Sequence, residues 1–212
     1  YLSDIYNSIL VKDIIARFNI KDLDLFNRIV EYIVTTPSQN FSAESLSNYF
    51  ANKDDRDVSK ITLYNYLEYM TKAMMINKAD RYDVRGKRIL NGKYKYYLTD
   101  LGFGQIMSVG KRPQLGAYLE NIVYNELLSR GYDVKVGNLE NGEIDFIATR
   151  FKEKVYIQVA YILADDSVIE REFGAFKNIE DNYPKYVLTM DKFDFSQNGI
   201  IHKNVIDWLL EE

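Results

Sequence analysis

Cysteine is absent from all 212 residues of the chain. Its absence excludes disulfide frameworks, thiolate zinc sites and cysteine nucleophiles together. Long apolar runs are absent as well. Runs such as Ala73 to Ile76 and Trp208 to Leu210 fall far short of the roughly 20 residues that cross a bilayer. No charged, then apolar, then small-residue leader opens the chain, so a cytoplasmic location without membrane contact is expected. A GxxxxGK[ST] loop is missing, and with it the means to cradle the phosphates of ATP. Internal repeats and low-complexity tracts are missing too.

What remains is an ordinary globular composition, 47% apolar and 27% charged, with 18 Tyr and 11 Phe to fill cores. The length admits two modest domains. A net charge of -4 conceals an asymmetry, because residues 1–111 carry 16 Lys+Arg against 13 Asp+Glu and the rest carry 11 against 18. Only the first part leans toward an anionic partner. Within it, Lys72 to Lys95 holds eight basic residues against Asp80 and Asp83. The first residue is Tyr1 rather than Met, which leads to the expectation of further sequence upstream.

From Ser3 to Phe18 the residues Ile5, Ile9, Leu10, Ile14, Ile15 and Phe18 recur at helical spacing, and Leu25, Phe26, Ile29, Val30, Ile33 and Val34 repeat the pattern. Pro37 breaks the chain, and Ser42 is placed to cap a third helix through Tyr49 and Phe50. A fourth helix, capped by Ser59, sets Ile61, Tyr64, Leu67, Met70 and Met74 on its buried face and Lys60, Thr62, Asn65 and Lys72 outward. Two strands follow around a turn at residues 85–92, with Lys93, Lys95 and Tyr97 alternating with Tyr94, Tyr96 and Leu98 in the second. Helices followed by a two-stranded ribbon are the order of a winged helix. In such a domain the helix before the ribbon can enter the DNA major groove while the basic ribbon touches phosphates. Lys60, Arg81, Arg85, Lys87, Arg88, Lys93 and Lys95 are the expected DNA contacts. Glu68 on the same helix disfavours close approach to phosphate.

The stretch GKRPQLG, residues 110–116, reads as a linker, and beyond it the pattern changes. A helix over residues 117–131 buries Leu119, Ile122, Val123, Leu127 and Leu128 and stops at Gly131. Strands at YDVKVG, EIDFIATR and VYIQVAYIL are followed by the helix SVIEREFGAFKNIED, strands KYVLTMD and GIIH, and a closing helix NVIDWLLEE. The expected fold is α+β in two domains, a helical winged-helix domain over residues 1–111 and, over 112–212, an α/β domain that resembles restriction endonucleases.

The order helix, three strands, helix, strand resembles the core of the PD-(D/E)XK nuclease superfamily. Phosphodiester hydrolysis needs a hard divalent ion held by oxygens, which shields charge on phosphate and makes a bound water nucleophilic. The resemblance makes Asp145 the main ligand of an ion such as Mg²⁺, Glu120 a second, and Gln158 a weaker neutral one. Its usual Lys falls at Ala160, which can neither orient water nor offset charge. Arg171 or Lys177 on the following helix are the candidates to replace it. An Asp inside the apolar strand DFIA is costly to bury without a partner, so Asp145 is expected to have one.

Taken whole, the chain resembles the C-terminal part of a family of prokaryotic AAA-type ATPases whose ATPase module is followed by a domain of unknown function. YLSDIYNSILVKDIIAR resembles the segment leaving the ATPase lid, VSKITLYNYLEYMTKAMMI and KYYLTDLGF the winged helix, and LENIVYNELLSRGYDV, GEIDFIA, YIQVAYIL, NYPKYVLTMD and GIIHKNVIDWLL the nuclease-like end. The resemblance implies an upstream module that binds ATP, and its pattern includes Gln at 158 followed by Val and a small residue. The function it implies is a DNA-binding accessory module of the ATPase, with a nuclease-like domain that no longer cleaves. The alternatives are a metal-dependent DNA nuclease and a protein-docking module of the ATPase.

Overall fold

The computed structural model of the chain describes every residue except 37, 39, 55–57, 108–113, 141 and 212, with the backbone alone at 40, 41, 53, 54, 92, 93, 106 and 107. It is an α+β protein with a mixed sheet. Residues 1–78 and 92–113 form one compact unit, and residues 79–91 and 114–212 form a second. The division therefore differs from the one expected at residue 111, because the outer half of the hairpin belongs with residues 114–212. The cause is strand pairing: Arg81, Tyr82 and Asp83 pair in parallel with Val136, Gly137 and Asn138. That ladder spans the boundary that the sequence suggested. The expected helix breaker Pro37 and the linker residues 110–113 lie outside the described residues.

In the first unit, α1 (Leu2–Ser8) runs into a π-helical stretch (Ile9–Ala16). A π turn carries extra backbone per turn, so it shifts the buried stripe that an α-helix would keep. Tyr6, Leu10 and Ile14 are buried while the expected Ile5 turns outward. Helix α2 (Leu23–Thr35) begins where the Asp22 carboxylate accepts from the Leu25 N–H at 3.1 Å. All six of its expected apolar residues are buried, and the Phe26 ring meets Tyr66 edge-on at 5.3 Å. Strand β1 (Asn40–Phe41) precedes α3 (Ala43–Asp54), which starts as expected at Ser42, whose Oγ accepts from the Ser45 N–H at 3.1 Å.

Helix α4 (Lys60–Lys72) has Ser59 at its cap position but no side-chain capping bond. Its buried face is Leu63, Tyr66, Leu67 and Met70, rotated from the expected one, so Ile61 and Tyr64 face solvent. The hairpin strands are β2 (Ile76–Asp83) and β3 (Arg88–Leu98). Strand β3 pairs antiparallel with β1, and its inner end is covered on both faces: Lys95, Tyr96, Tyr97 and Leu98 are all buried. Alternation of charge and aromatic residues suggested one wet face, but Tyr97 shares the face of Lys95 and is fully enclosed. A short α5 (Gly102–Met107), not expected from the sequence, closes this unit.

The second unit contains α6 (Leu115–Ser129), β4 (Asp133–Leu139), β5 (Gly142–Arg150), β6 (Glu153–Val159), α7 (Asp166–Gly174), β7 (Lys185–Thr189), β8 (Ile201–Asn204) and α8 (Val205–Leu210). Strands β4, β5 and β6 are antiparallel neighbours, while β6, β7 and β8 are parallel. Helix α6 stops at Gly131, φ +80°, a conformation that suits glycine. Its Tyr124 ring packs 5.8 Å from Phe146 of β5. Phe173 and Phe176, at and beyond the end of α7, cover the other face with Ile144, Ile147, Tyr156 and Val187. Asp165 and Asn204 cap α7 and α8 through their carboxylate and amide oxygens. Among the described residues, no helix is long and apolar enough to cross a membrane.

Ser42→Ala is expected to lower the unfolding free energy by about 1 kcal/mol through loss of the cap. The check is a lower urea midpoint at unchanged slope.

Candidate functional site

The register of β5 against β4 shifts where Lys135 pairs with Ile147 and Gly137 with Ile144. Two residues, Asp145 and Phe146, therefore stand opposite the single Val136, which is a β-bulge. Its effect is visible in the packing. Ile144 and Ile147 would face opposite sides of a regular strand, yet both enter the cluster beneath α7. Phe146 instead meets α6. A bulge leaves its extra residue without a ladder partner, and here side chains replace the ladder. The Asp145 N–H donates to Gln158 Oε1 at 3.1 Å, and Asp145 Oδ2 accepts from the Val159 N–H at 2.8 Å.

Asp145 is thus buried and partnered, as expected, and Gln158 is beside it as expected. Their bond and the one from the Val159 N–H together replace rungs of the ladder between β5 and β6. Glu120, half-buried on α6 one turn before Tyr124, is not free of partners within the chain. Among the described residues, no group of three or more His, Asp or Glu side chains is arranged to hold a metal ion. Ala160 is buried and donates its backbone N–H to the Leu188 carbonyl. Arg171 binds the neighbouring Glu172 carboxylate through its Nε, at 3.0 Å, and a terminal nitrogen, at 2.6 Å. Lys177 lines two clefts, and neither includes Glu120, Asp145 or Gln158.

The expected DNA contacts divide into two groups. Arg81 is only 8% exposed, with its guanidinium on Asn138 Oδ1 and Glu143 Oε2, both at 3.0 Å. Lys95 is buried in β3. Neither can reach a phosphate, because both lie in strands enclosed by their neighbours. Lys60 pairs with Glu44 at 2.9 Å, and Lys72 with Glu68 at 2.7 Å, so the charge along α4 is largely balanced. The hydrogen bond from Lys72 holds the Glu68 carboxyl below its ordinary range. The Lys93 side chain lies outside the described residues.

Arg85, Lys87 and Arg88 remain, all exposed at the hairpin tip. The turn is shorter than expected: Arg88 already starts β3, Lys87 adopts φ +50°, and the Gly86 N–H is held by Asp83 Oδ1 at 2.9 Å. Arg85 touches Glu140 at 3.1 Å and Arg88 touches Asp83 at 3.7 Å. The exposed Arg85–Glu140 pair is worth about 0–1 kcal/mol, so an incoming anion can displace it, while Asp83 is half-buried and stays with the turn it holds.

One polar cluster escaped the sequence reading. His202, the single histidine of the chain, is buried in β8 with its Nε2 2.8 Å from Thr189 Oγ1. Its Nδ1 faces the Phe195 N–H at 3.4 Å, which makes Nδ1 the acceptor and Nε2 the donor in a neutral ring. The Thr189 hydroxyl donates to Asp191 Oδ2 at 3.0 Å, and that oxygen also accepts from the Leu163 N–H at 2.7 Å. The chain of bonds ties the loops after β6 and β7 to the strand ends. It is not a nucleophile and base, since Thr189 is fully buried and the far ring nitrogen faces a donor rather than an acid. The only sequence signal was a lone His at the end of GIIH.

A family model described as Domain of unknown function (DUF8612) matches residues 1–114. An uncharacterized protein of Haemophilus influenzae is 34% identical over 99% of this chain and 52% of its own length. An uncharacterized protein of Methanocaldococcus jannaschii is 28% identical over 85% of this chain and 40% of its own. The chain spans about half the length of the curated relatives it matches. A solved Vibrio cholerae protein is similar at 13% identity and a TM-score of 0.27, over 83% of this chain and 49% of that one.

Asp145→Ala strands the buried Val159 N–H and is expected to cost about 1–3 kcal/mol of stability. Asp145→Asn, which keeps an acceptor oxygen, should lose less; urea unfolding of both variants checks the order. Burial holds the His202 pKa below 6.5, outweighing the nearby Asp191 and Asp194. The unfolded chain therefore takes up that proton first as pH falls, so this stability is complete above about pH 6.5 and is lost as pH falls through the lowered native value. Thermal melts from pH 7.5 down to 5 should show the decline, and His202→Gln should flatten it.

Proposed function

The chain belongs to the family described as Domain of unknown function (DUF8612), and we propose that it is a nucleic-acid-binding accessory module whose nuclease-like half does not cleave. One observation carries the reading: Arg85, Lys87 and Arg88 are displayed together, all exposed, on a tight turn. A compact turn bearing three cations fits phosphates and reads no base edge, so binding is weak and indifferent to sequence. In this reading the first unit is a winged-helix-like scaffold that carries the base of the hairpin, and the second unit is the nuclease-like frame.

The non-cleaving half of the proposal is supported by the bonds around the bulge. Asp145 spends one carboxylate oxygen on the Val159 N–H and Gln158 spends its amide oxygen on the Asp145 N–H. Ala160 supplies no cation to orient water or to offset charge, and such electrostatic help is commonly worth about 10²-fold or more in rate. The upstream partner in the whole protein is proposed to be an ATPase module, by the resemblance drawn from the sequence.

Neutralising three phosphates predicts a log–log salt slope of roughly -3 on duplex DNA. Reversing Arg85, Lys87 and Arg88 to Glu is expected to abolish binding while leaving the circular-dichroism spectrum unchanged. Undiminished binding by that variant would move the reading to protein docking, for which the exposed Ile61 and Tyr64 of α4 are the surface. Incubation with DNA in Mn²⁺ should give no cleavage; cutting that vanishes in Asp145→Ala would overturn the non-cleaving half.

A further inference from the structure

Beneath the hairpin tip, the second unit holds a cleft of about 920 Å³, within the range of roughly 300–1,000 Å³ usual for ligand sites. Its floor is Val84, Leu139 and Ile179, and its walls include Tyr82, Tyr156 and Tyr183. It lies on the α7 side of the sheet, since Tyr156 and Ile179 belong to the apolar cluster under that helix. None of the residues around the bulge lines it. It is a separate feature from the nuclease-like site.

The cleft is held open by bonds within its own wall. The Asp181 carboxylate accepts from the Tyr156 hydroxyl at 2.6 Å and from Lys154 Nζ at 3.1 Å. Lys154 Nζ in turn lies 4.5 Å from the centre of the Tyr156 ring and 5.1 Å from that of Tyr183. A second ammonium, Lys185, bonds the Asp181 carbonyl at 2.6 Å. The segment after α7 is thereby pinned to β6, and Tyr183 is fixed with 44% of its surface still exposed. An aromatic ring ordered before binding loses little entropy when a flat partner stacks on it.

Charge on the rim favours an anion by a small margin. Arg85 is paired with Glu140 and Lys154 with Asp181, which leaves Lys87 and Lys177 against Glu180 among the lining residues. Neither Lys87 nor Lys177 has an ion-pair partner among the described residues. The lining therefore offers stacking surface at the centre and two unspent cations at the edge, continuous with the hairpin turn through Arg85 and Lys87.

We propose that this cleft receives an unpaired nucleobase from a nucleic-acid strand, so that the chain favours single strands and duplex ends with overhangs over blunt duplex. The inference rests on the reading that the hairpin tip engages phosphates. Stacked, paired bases inside a duplex can enter such a cleft only by being flipped out at a cost, whereas an overhang presents them freely. Every base has a flat face, so the preference is for strand state and not for sequence.

The test compares the affinities of a blunt duplex, the same duplex with a short overhang, and a single strand by fluorescence anisotropy, with a mononucleotide as competitor. The overhang and the single strand should bind roughly tenfold more tightly than the blunt duplex, as expected for one stacked base. Tyr183→Ala should erase that difference while leaving blunt-duplex affinity unchanged, and Tyr183→Phe should keep it. The partly exposed Tyr183 can be changed without opening the core. Equal affinity for blunt and overhanging duplex, or a preference that survives Tyr183→Ala, overturns the proposal. A mononucleotide that competes as well as the overhang overturns its strand component. Failure to bind any of the nucleic acids sinks the phosphate reading of the hairpin instead, so the two failures are distinct.

Discussion

The buried guanidinium of Arg81 makes the outer half of a hairpin into a strand of the second unit. Its bonds to Asn138 and Glu143 lock the short parallel ladder between residues 81–83 and 136–138. A charge this enclosed is tolerable only when paired, and removing one partner of such a pair costs far more than the pair itself is worth. Everything proposed for function lies downstream of that lock. The turn that displays Arg85, Lys87 and Arg88 is fixed by it, and Tyr82, next to Arg81, becomes a wall of the cleft.

Asp145 and Gln158 follow a similar logic. Each has the chemistry of a metal-site residue, and each uses that chemistry to satisfy a backbone group that the bulge in β5 leaves without its ladder. A carboxylate inherited from a catalytic frame and a carboxylate that mends a strand can occupy the same place. What would separate them is whether oxygens remain free and whether a cation stands near; residue 160, where the nuclease pattern has Lys, is Ala.

Periodicity made most elements legible. The apolar stripe of α2, the cap at Ser42, the stop at Gly131 and the three strands around Asp145 all follow from local chemistry that acts within a few residues. The misses came from long-range pairing. Nothing near Arg81 or Lys95 announces that their strands will be enclosed, because the covering residues are dozens of positions away or on a neighbouring strand. In α4 the stripe could be drawn through Ile61 and Tyr64 or through Leu63 and Tyr66, and only packing against Phe26 decides. The register shift that re-aims β5 depends on how two strands meet, so a reading of one strand cannot contain it. The Tyr-lined cleft gathers residues from four separate stretches, so no single stretch outlines it.

The placement of residues 79–91 in the second unit also bears on how this chain can be divided. The family model ends at residue 114, a position that reads along the chain as the end of a domain. A protein cut there would retain Arg81 but lose Asn138 and Glu143, and would leave the ladder edge of residues 81–83 bare. Such an edge, with a stranded cation inside it, invites pairing with another copy. The natural seam in this molecule is therefore not a point on the sequence but a line through the middle of a hairpin, and an excised first unit would need its hairpin shortened to residues 78 and 92 to be a clean piece.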